Sequence, residues 1–353
     1  MARIGIIGTG WGARVQVPAF REAGLEVVGL AGRDGNKTAA AAKELGVEAF
    51  AEWRSLASSA NVDLVSIVTP PAHHLEMATF ALEAGKHVLC EKPTAMNAGE
   101  AGQLVAIAAN HPDAITLIDH ELRFLPSFLA ARQHLYDLGA IWYAEVRYAS
   151  PGRGDVSRPW TRWSDATQGG GVWGAVGSHF VDALRYLIGE VDSVQAELRT
   201  IIRERPFEGK PRVVTSDDFA AVHARLEKGV VAAMTFSAVA GGPDEPATLT
   251  IHGEKGAMRL SQEELLHAKR GALFTRTAGH DLEHRPGNSP GGAFGSGTVH
   301  LGRALRAALD DGRREALASA ATFVDGLAQQ RVLDAARKSS EHDGIWEKVK
   351  CEE

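Results

Sequence analysis

The strongest constraint on this chain lies at its start. An apolar, β-branched run, Arg3 to Ile7, passes directly into Gly8-Thr9-Gly10-Trp11-Gly12-Ala13, and helical patterning begins at once. The turn matches G-x-G-x-x-A in strand-turn-helix context. There the first glycine permits a tight turn, the second lets a pyrophosphate approach main-chain N–H groups at a helix start, and the small third residue lets helix and strand pack closely. A glycine turn alone is a weak signal, and its position between strand and helix makes it a dinucleotide-binding candidate.

The rest of the first third repeats the alternation. Leu25 to Ala31, Asn61 to Thr69, Lys86 to Cys90 and Ala114 to Ile118 read as strands, separated by helical patterns at Lys37–Leu45, Ala72–Ala84 and Asn97–Asn110. Asn61 to Thr69 is apolar on both faces, as a strand covered by helices on each side requires. The expected fold class is α/β, with an N-terminal doubly wound Rossmann domain over residues 1–122. After Pro126 the pattern changes. Ile141–Ala149, Val191–Arg203, Phe219–Leu226, Val230–Ala238 and Ala247–Gly253 are strand-like and joined by short turns, which predicts a C-terminal α+β domain over 123–353 with a large, mainly antiparallel sheet. Pro206–Thr215 and the glycine-rich Gly279–Gly297 have loop composition, the second a candidate lid, and helices are expected over Thr298–Asp310 and Ala318–Lys338.

With 353 residues, 44% hydrophobic and 23% charged, the chain has ordinary globular composition and length enough for two cores. Its formal net charge of −6 argues against nucleic acid as a partner, because nothing in it supplies a basic field. No apolar run is long enough to span a membrane. The glycine turn arrives before any apolar segment of export-signal length, and the two cysteines, Cys90 and Cys351, form no C-x-x-C pair, so a cytoplasmic, reduced protein is the expectation.

The end of the second strand bears on cofactor choice. An NAD-type fingerprint places a carboxylate there for the ribose hydroxyls; this chain continues instead into Gly32-Arg33-Asp34, with Lys37 a turn later. Arg33 and Lys37 suit a 2′-phosphate by charge-assisted hydrogen bonds, so NADP is the preferred cofactor. NAD stays open, because Asp34 reaches the ribose if the strand ends later than Ala31.

Strand four runs into Lys86-His87-Val88-Leu89-Cys90-Glu91-Lys92-Pro93, preceded by Thr69-Pro70-Pro71 and His74. With His120-Glu121-Leu122-Arg123-Phe124, the block Gly169-Gly170-Gly171 through His179 to Asp182, and Phe323-Val324-Asp325-Gly326, these motifs make nearly the whole chain resemble the Gfo/Idh/MocA oxidoreductase family. The resemblance implies a nicotinamide cofactor held by Gly8, Thr9, Gly10, Trp11, Gly12, Ala13, Arg33, Lys37, Thr69, Pro70, His74, Glu91 and Lys92. It further implies that Lys92 and His179 are catalytic, that Arg123, Trp163, His179 and Asp182 contact a small-molecule substrate, and that the chain forms a homodimer or homotetramer through its C-terminal sheet. Ala175 stands where many members carry an aspartate, which removes one carboxylate from the expected lysine-aspartate-histidine set.

Bottom-up, a lysine at the carboxyl end of a strand in an open α/β sheet points toward the ligand crevice and can pass a proton to or from an alcohol. Arg153, Arg158, Trp160, Arg162 and Trp163 form a loop-like stretch in which indole faces can stack on a ring, or else an ordinary exposed loop. For His74 core hydrogen bonding stands beside cofactor contact, and for Arg123 a structural ion pair stands beside anion binding. His280-Asp281-Leu282-Glu283-His284 offers ligand-type side chains without a helix to align them, and no metal is expected. The expected activity is NAD(P)-dependent hydride transfer at an alcohol or carbonyl carbon of a small sugar-like, polyol or cyclic substrate. A cofactor-binding sensor without turnover and an NAD-assisted glycoside-cleaving enzyme are the alternatives.

Overall fold

The computed structural model describes residues 1–262, 264–276 and 290–349. They divide into two compact units: Met1–Leu125 joined by a returning segment that ends at Leu327, and a second unit that begins at Pro126 and is completed by Ala328 onward. The sequence placed the whole of 123–353 in one contiguous domain; the returning segment instead supplies a strand and a helix to the first unit.

The first unit is built on a seven-stranded sheet. Its strands are β1 (Arg3–Ile7), β2 (Glu26–Ala31), β3 (Glu48–Phe50), β4 (Leu64–Ile67), β5 (His87–Cys90), β6 (Thr116–Ile118) and, from the returning segment, β17 (Ala321–Thr322). Spatially they run β17-β6-β5-β4-β1-β2-β3, all parallel except β17, so chain order reverses between β1 and β4 as in a doubly wound fold. Alternate residues serve opposite cores. Ile4, Ile6, Leu64 and Leu89 pack with Phe20 and Leu305 on one face, whereas Ile7, Val65, Ile67 and Val88 pack with Ala78, Leu82 and Leu104 on the other. The helices on these faces are α1 (Val17–Glu22), α2 (Gly35–Leu45), α3 (Trp53–Ala57), α4 (His74–Glu83), α5 (Ala98–Ala109) and α8 (Gly292–Asp310).

The glycine-rich stretch departs from its loop reading, because α8 starts at Gly292. Its glycines serve close packing: a Cβ on Gly297 would lie 2.6 Å from the Glu121 carbonyl oxygen, and one on Gly302 would lie 2.8 Å from Ala23. The lid reading otherwise falls at 277–289, outside the described residues, as does the His280–His284 run.

The second unit holds a nine-stranded sheet. Its long strands are β7 (Ile141–Ala149), β8 (Val191–Arg199), β11 (Phe219–Leu226), β12 (Val231–Ser237) and β13 (Glu245–Gly253), close to their sequence-predicted spans. The sheet is antiparallel except where β12 runs parallel to β7. β14 (Gly256–Leu260), β15 (Leu265–Lys269) and β16 (Thr275–Arg276) extend one edge and β18 (Glu347–Lys348) the other. Pro206–Thr215, read as a loop, carries most of a hairpin, β9 (Glu204–Phe207) with β10 (Lys210–Val213), whose nearly all-exposed residues left no apolar alternation to see. Helices α6 (Pro126–His134) and α7 (Ser178–Leu187) belong to this unit, and α9 (Phe323–Glu341) follows β17. Among the described residues no helix is long and apolar enough to cross a membrane.

Candidate active site

The first-unit site is built on the carboxyl ends of the parallel strands. Gly8 sits at φ 139°, and a Cβ there would lie 2.3 Å from the Val68 carbonyl oxygen, so only glycine fits between β1 and the end of β4. Gly12 is equally confined, 2.7 Å from Ile6, and Ala13 is buried in the core. Gly10 faces open space, with nothing within 4 Å of its would-be Cβ. Tight glycines on either side of an open one make the cradle a pyrophosphate needs, so these residues fit the dinucleotide the sequence calls for. Thr9 and Trp11 lie half-buried within it. The helix opens with a widened, π-type turn, Gly12–Gln16, and a second such turn, Trp173–Gly177, opens the helical part of the later glycine block.

β2 ends at Ala31, as read. Arg33 and Lys37 are exposed, and Asp34 caps α2, accepting from the Lys37 N–H at 3.1 Å while Lys37 Nζ lies 3.7 Å from its carboxylate. The cap anchors Asp34 at the helix start.

Thr69 and Pro70 follow β4, and Glu91, Lys92 and Pro93 follow β5, with the Lys92–Pro93 peptide cis. His74 ties the two loops together. It is fully buried, with Nε2 2.9 Å from the Thr69 carbonyl oxygen and Nδ1 3.1 and 3.3 Å from those of Pro93 and Thr94. Burial pushes its pKa down to about 4, outweighing three carbonyls that favour N–H. Both ring nitrogens face main chain, so His74, expected at the cofactor, is a cross-link between loops.

Below Lys92 lies a buried polar network that the sequence reading missed. Gln16, fully buried, donates from Nε2 to Asp119 at 2.9 Å and to Glu91 at 3.2 Å, and its carbonyl oxygen accepts from the Ser66 hydroxyl at 2.6 Å. The same Glu91 carboxylate accepts from the Lys92 N–H at 3.3 Å. Burial, followed by the Glu91 charge, holds Asp119 well above the usual carboxylate range, against Gln16 and Lys92, which favour the anion. Glu121 is pushed up likewise, by burial and then by Asp119 and Glu91. Lys92 therefore stands within electrostatic reach of Asp119 and Glu121, and Glu91, expected at the cofactor, is committed to this network. The only sequence trace was polar residues inside apolar runs, Gln16 between Val15 and Val17 and Asp119 directly after Leu117-Ile118.

Arg123, expected at the substrate, is 5% exposed and paired with Asp325 at 3.0 Å. Burial alone would raise the Asp325 pKa; Arg123 and the Thr322 N–H and hydroxyl pull it below the usual range. The HELRF and FVDG motifs thus meet in a structural ion pair.

In the second unit, His179 and Asp182 stand three residues apart on α7, hence on one face, and both are buried. The turn before them is held by Asp217, which the sequence reading also missed: its carboxylate accepts from the Trp173 N–H at 2.7 Å, and Gly171, at φ 115°, leaves room for it. Burial raises the Asp217 pKa despite these N–H contacts. Trp173 is fully buried, and its indole N–H donates to the Leu333 carbonyl at 3.2 Å. Ala175 lies within the widened turn and brings no polar side chain to it. Trp163 is half-buried, with the Arg153 and Arg162 guanidinium carbons 5.1 and 4.5 Å from its ring centre. Among the described residues no group of histidine, cysteine, aspartate or glutamate is arranged to hold a metal.

Known proteins match along the whole chain. Residues 2–118 match the family described as "Oxidoreductase family, NAD-binding Rossmann fold", and residues 128–259 match the "GFO/IDH/MocA C-terminal domain". Glucose-fructose oxidoreductase domain-containing protein 2 of Homo sapiens is 31% identical over 365 residues, spanning 98% of this chain and 93% of that protein. Among solved structures, an oxidoreductase domain protein from Kribbella flavida superposes with a TM-score of 0.87 at 27% identity, covering 99% of both chains. Levoglucosan dehydrogenase in complex with NADH and L-sorbose reaches the same TM-score and coverage at 23% identity, a likeness of fold.

Proposed function

Because the chain belongs to the Gfo/Idh/MocA oxidoreductase family, with its NAD-binding Rossmann fold, we propose that it moves a hydride between a nicotinamide and the alcohol or carbonyl carbon of a small sugar-like, polyol or cyclic substrate. The observation that carries this reading is the cradle at Gly8, Gly10 and Gly12 beside Lys92 on the same strand edge. Main-chain N–H groups from Gly8 to Ala13 would hold the pyrophosphate, and Thr69 and Pro70 would border the cofactor. When bound, the nicotinamide supplies the hydride donor or acceptor.

The chain's own residues handle the proton. Oxidising an alcohol frees one proton from oxygen, which Lys92 Nζ takes up; reduction runs the other way. In the second unit, the family resemblance gives His179 and Asp182, one turn apart on α7, roles at the substrate. Ala175, in the turn before α7, leaves that unit without the carboxylate that the family resemblance leads one to expect there. That alanine favours a second reading, a nicotinamide-binding sensor that does not turn over.

We further assign a preference for NADP. Asp34 is committed to capping α2, and exposed Arg33 beside Lys37 suits a 2′-phosphate. Self-association through the outer face of the second sheet is also proposed: β12 turns Ala232, Met234 and Phe236 inward, while Val231, Ala233 and Thr235 face out alongside exposed Tyr143 of β7.

The test is titration with NADPH and NADH, followed by a carbonyl and polyol screen read at the nicotinamide absorbance. NADPH should bind at least about tenfold tighter than NADH, with the margin lost in Arg33→Ser. Turnover should vanish in Lys92→Ala while binding persists. Tight binding without turnover across the screen selects the sensor, and no binding of either nucleotide overturns both readings.

A further inference from the structure

The loop after β7 carries Arg153, Arg158 and Arg162, and Arg205 of β9 packs against it. Arg205, 4% exposed, donates to the main-chain oxygens of Asp155 at 2.9 Å and Arg153 at 2.6 Å. Arg158 donates to the Gly152 carbonyl. Arg153 and Arg162 both lie over the Trp163 ring. Asp155 is the one carboxylate in the loop segment itself before Trp160; it accepts from the Ser157 N–H and hydroxyl at 2.8 and 2.7 Å and feels Arg158 and Arg205. Arg153 stands apart from it. Among the described residues no carboxylate is recorded against its guanidinium, which meets the indole face, the fields of Arg158, Arg205 and Arg162, and the Tyr148 phenol.

The loop is nevertheless well built. The Arg153 N–H donates to the Ala238 carbonyl at 2.8 Å, Gly154 N–H to Pro151 at 2.8 Å, Trp160 N–H to Pro206 at 2.7 Å, and the Trp163 carbonyl accepts from the Ser216 hydroxyl at 2.7 Å. Main-chain bonds thus hold a half-buried guanidinium among like charges. Burial, followed by Arg158, Arg205 and Arg162, brings its pKa down to about 10, so it remains charged at neutral pH. Folding gains little from such an arrangement, since a cation over an indole contributes about 1 kcal/mol at a wet site, while an anion there would relieve the mutual repulsion and meet a planar fork of donors.

We propose that Arg153, with Arg162 over the same indole, is a binding site for the carboxylate or phosphate group of a small ligand. The inference goes beyond the reading above and does not depend on it: the ligand class this site of the second unit takes is a small molecule carrying such a group, an acidic sugar derivative or a phosphate ester. The site itself is tested without nicotinamide, so its failure and that of the oxidoreductase reading are separable.

The test uses the full chain in low-chloride buffer. Inorganic phosphate is followed by phosphorus NMR line broadening, and gluconate by proton saturation transfer. Saturable binding of at least one is expected, weakened about tenfold or more in Arg153→Gln, partly restored in Arg153→Lys, and unchanged in Arg147→Gln on the neighbouring strand. The tighter of the two identifies the group. Because the ties of Arg153 to the fold are main-chain, Arg153→Gln should melt at the same temperature or higher. No saturable binding of either anion, equal binding in Arg153→Gln, or a lowered melting temperature in that variant overturns the proposal.

Discussion

His74 gives the molecule a pH dependence whose size follows from its burial. Its two ring nitrogens lie against the carbonyls of Thr69, Pro93 and Thr94, and its pKa is down at about 4 from an ordinary 6.5. Between those values the unfolded chain binds a proton that the folded chain refuses. Stability from this group is therefore complete above about pH 6.5 and is lost as pH falls toward 4. At about 1.4 kcal/mol per pH unit, the gap corresponds to about 3 kcal/mol. His74→Gln keeps an N–H donor in place and removes the titration, so the stability difference between wild type and variant should change by about that amount from pH 7 to pH 4. For a unit of this size that means roughly 6–12 °C in the first melting transition, read by scanning calorimetry across the pH series. Other titrating groups, the buried acids included, are common to both chains and cancel in the difference. Melting curves of wild type and variant that stay parallel from pH 7 to 4 would refute the argument that burial holds this ring neutral.

Asp119 acts with the opposite sign. Its carboxyl is held up by burial and by Glu91, so the folded chain keeps a proton that the unfolded chain has lost; stability from this group is complete below the ordinary carboxylate value of about 4 and declines as pH rises from there toward its raised folded value. The decline is at most about 1.4 kcal/mol per pH unit, and Asp119→Asn, which can still accept from Gln16, should flatten it in urea titrations; an unchanged slope counts against the assignment. Gly177→Ala should cost about 1–3 kcal/mol, because its Cβ would lie 2.3 Å from the Trp173 ring and that indole is pinned to Leu333. Gly102→Ala in α5, where nothing lies within 4 Å, should instead stabilise by about 0.5–1 kcal/mol, and equal melting shifts for the two would refute the packing argument.

What the sequence showed and what it hid divide along one physical line. Strands β1, β7 and β11 were legible to the residue, because alternation between buried and covered faces is a property of neighbours in sequence. The G-x-G-x-x-A cradle and the EKP block were legible for the same reason: each is one continuous segment whose chemistry sits in its main chain or its end. Glycine misled where it served packing, since Gly297 in α8 read as looseness and is a point of close approach. The network beneath Lys92 was hidden because Gln16, Ser66, Glu91 and Asp119 come from four segments and converge only when β4, β5 and β6 line up. His74 and Arg123 were named for the ligand because they sit in ligand-bearing motifs; their partners, the Pro93 carbonyl and Asp325, lie 19 and 202 positions away. A polar side chain inside an apolar run marks that a partner exists without saying which. A buried amide with two N–H donors and one carbonyl can be satisfied by two carboxylates and a hydroxyl only if the segments carrying them arrive together. The network is therefore as much a test of the sheet register as the sheet is a support for the network.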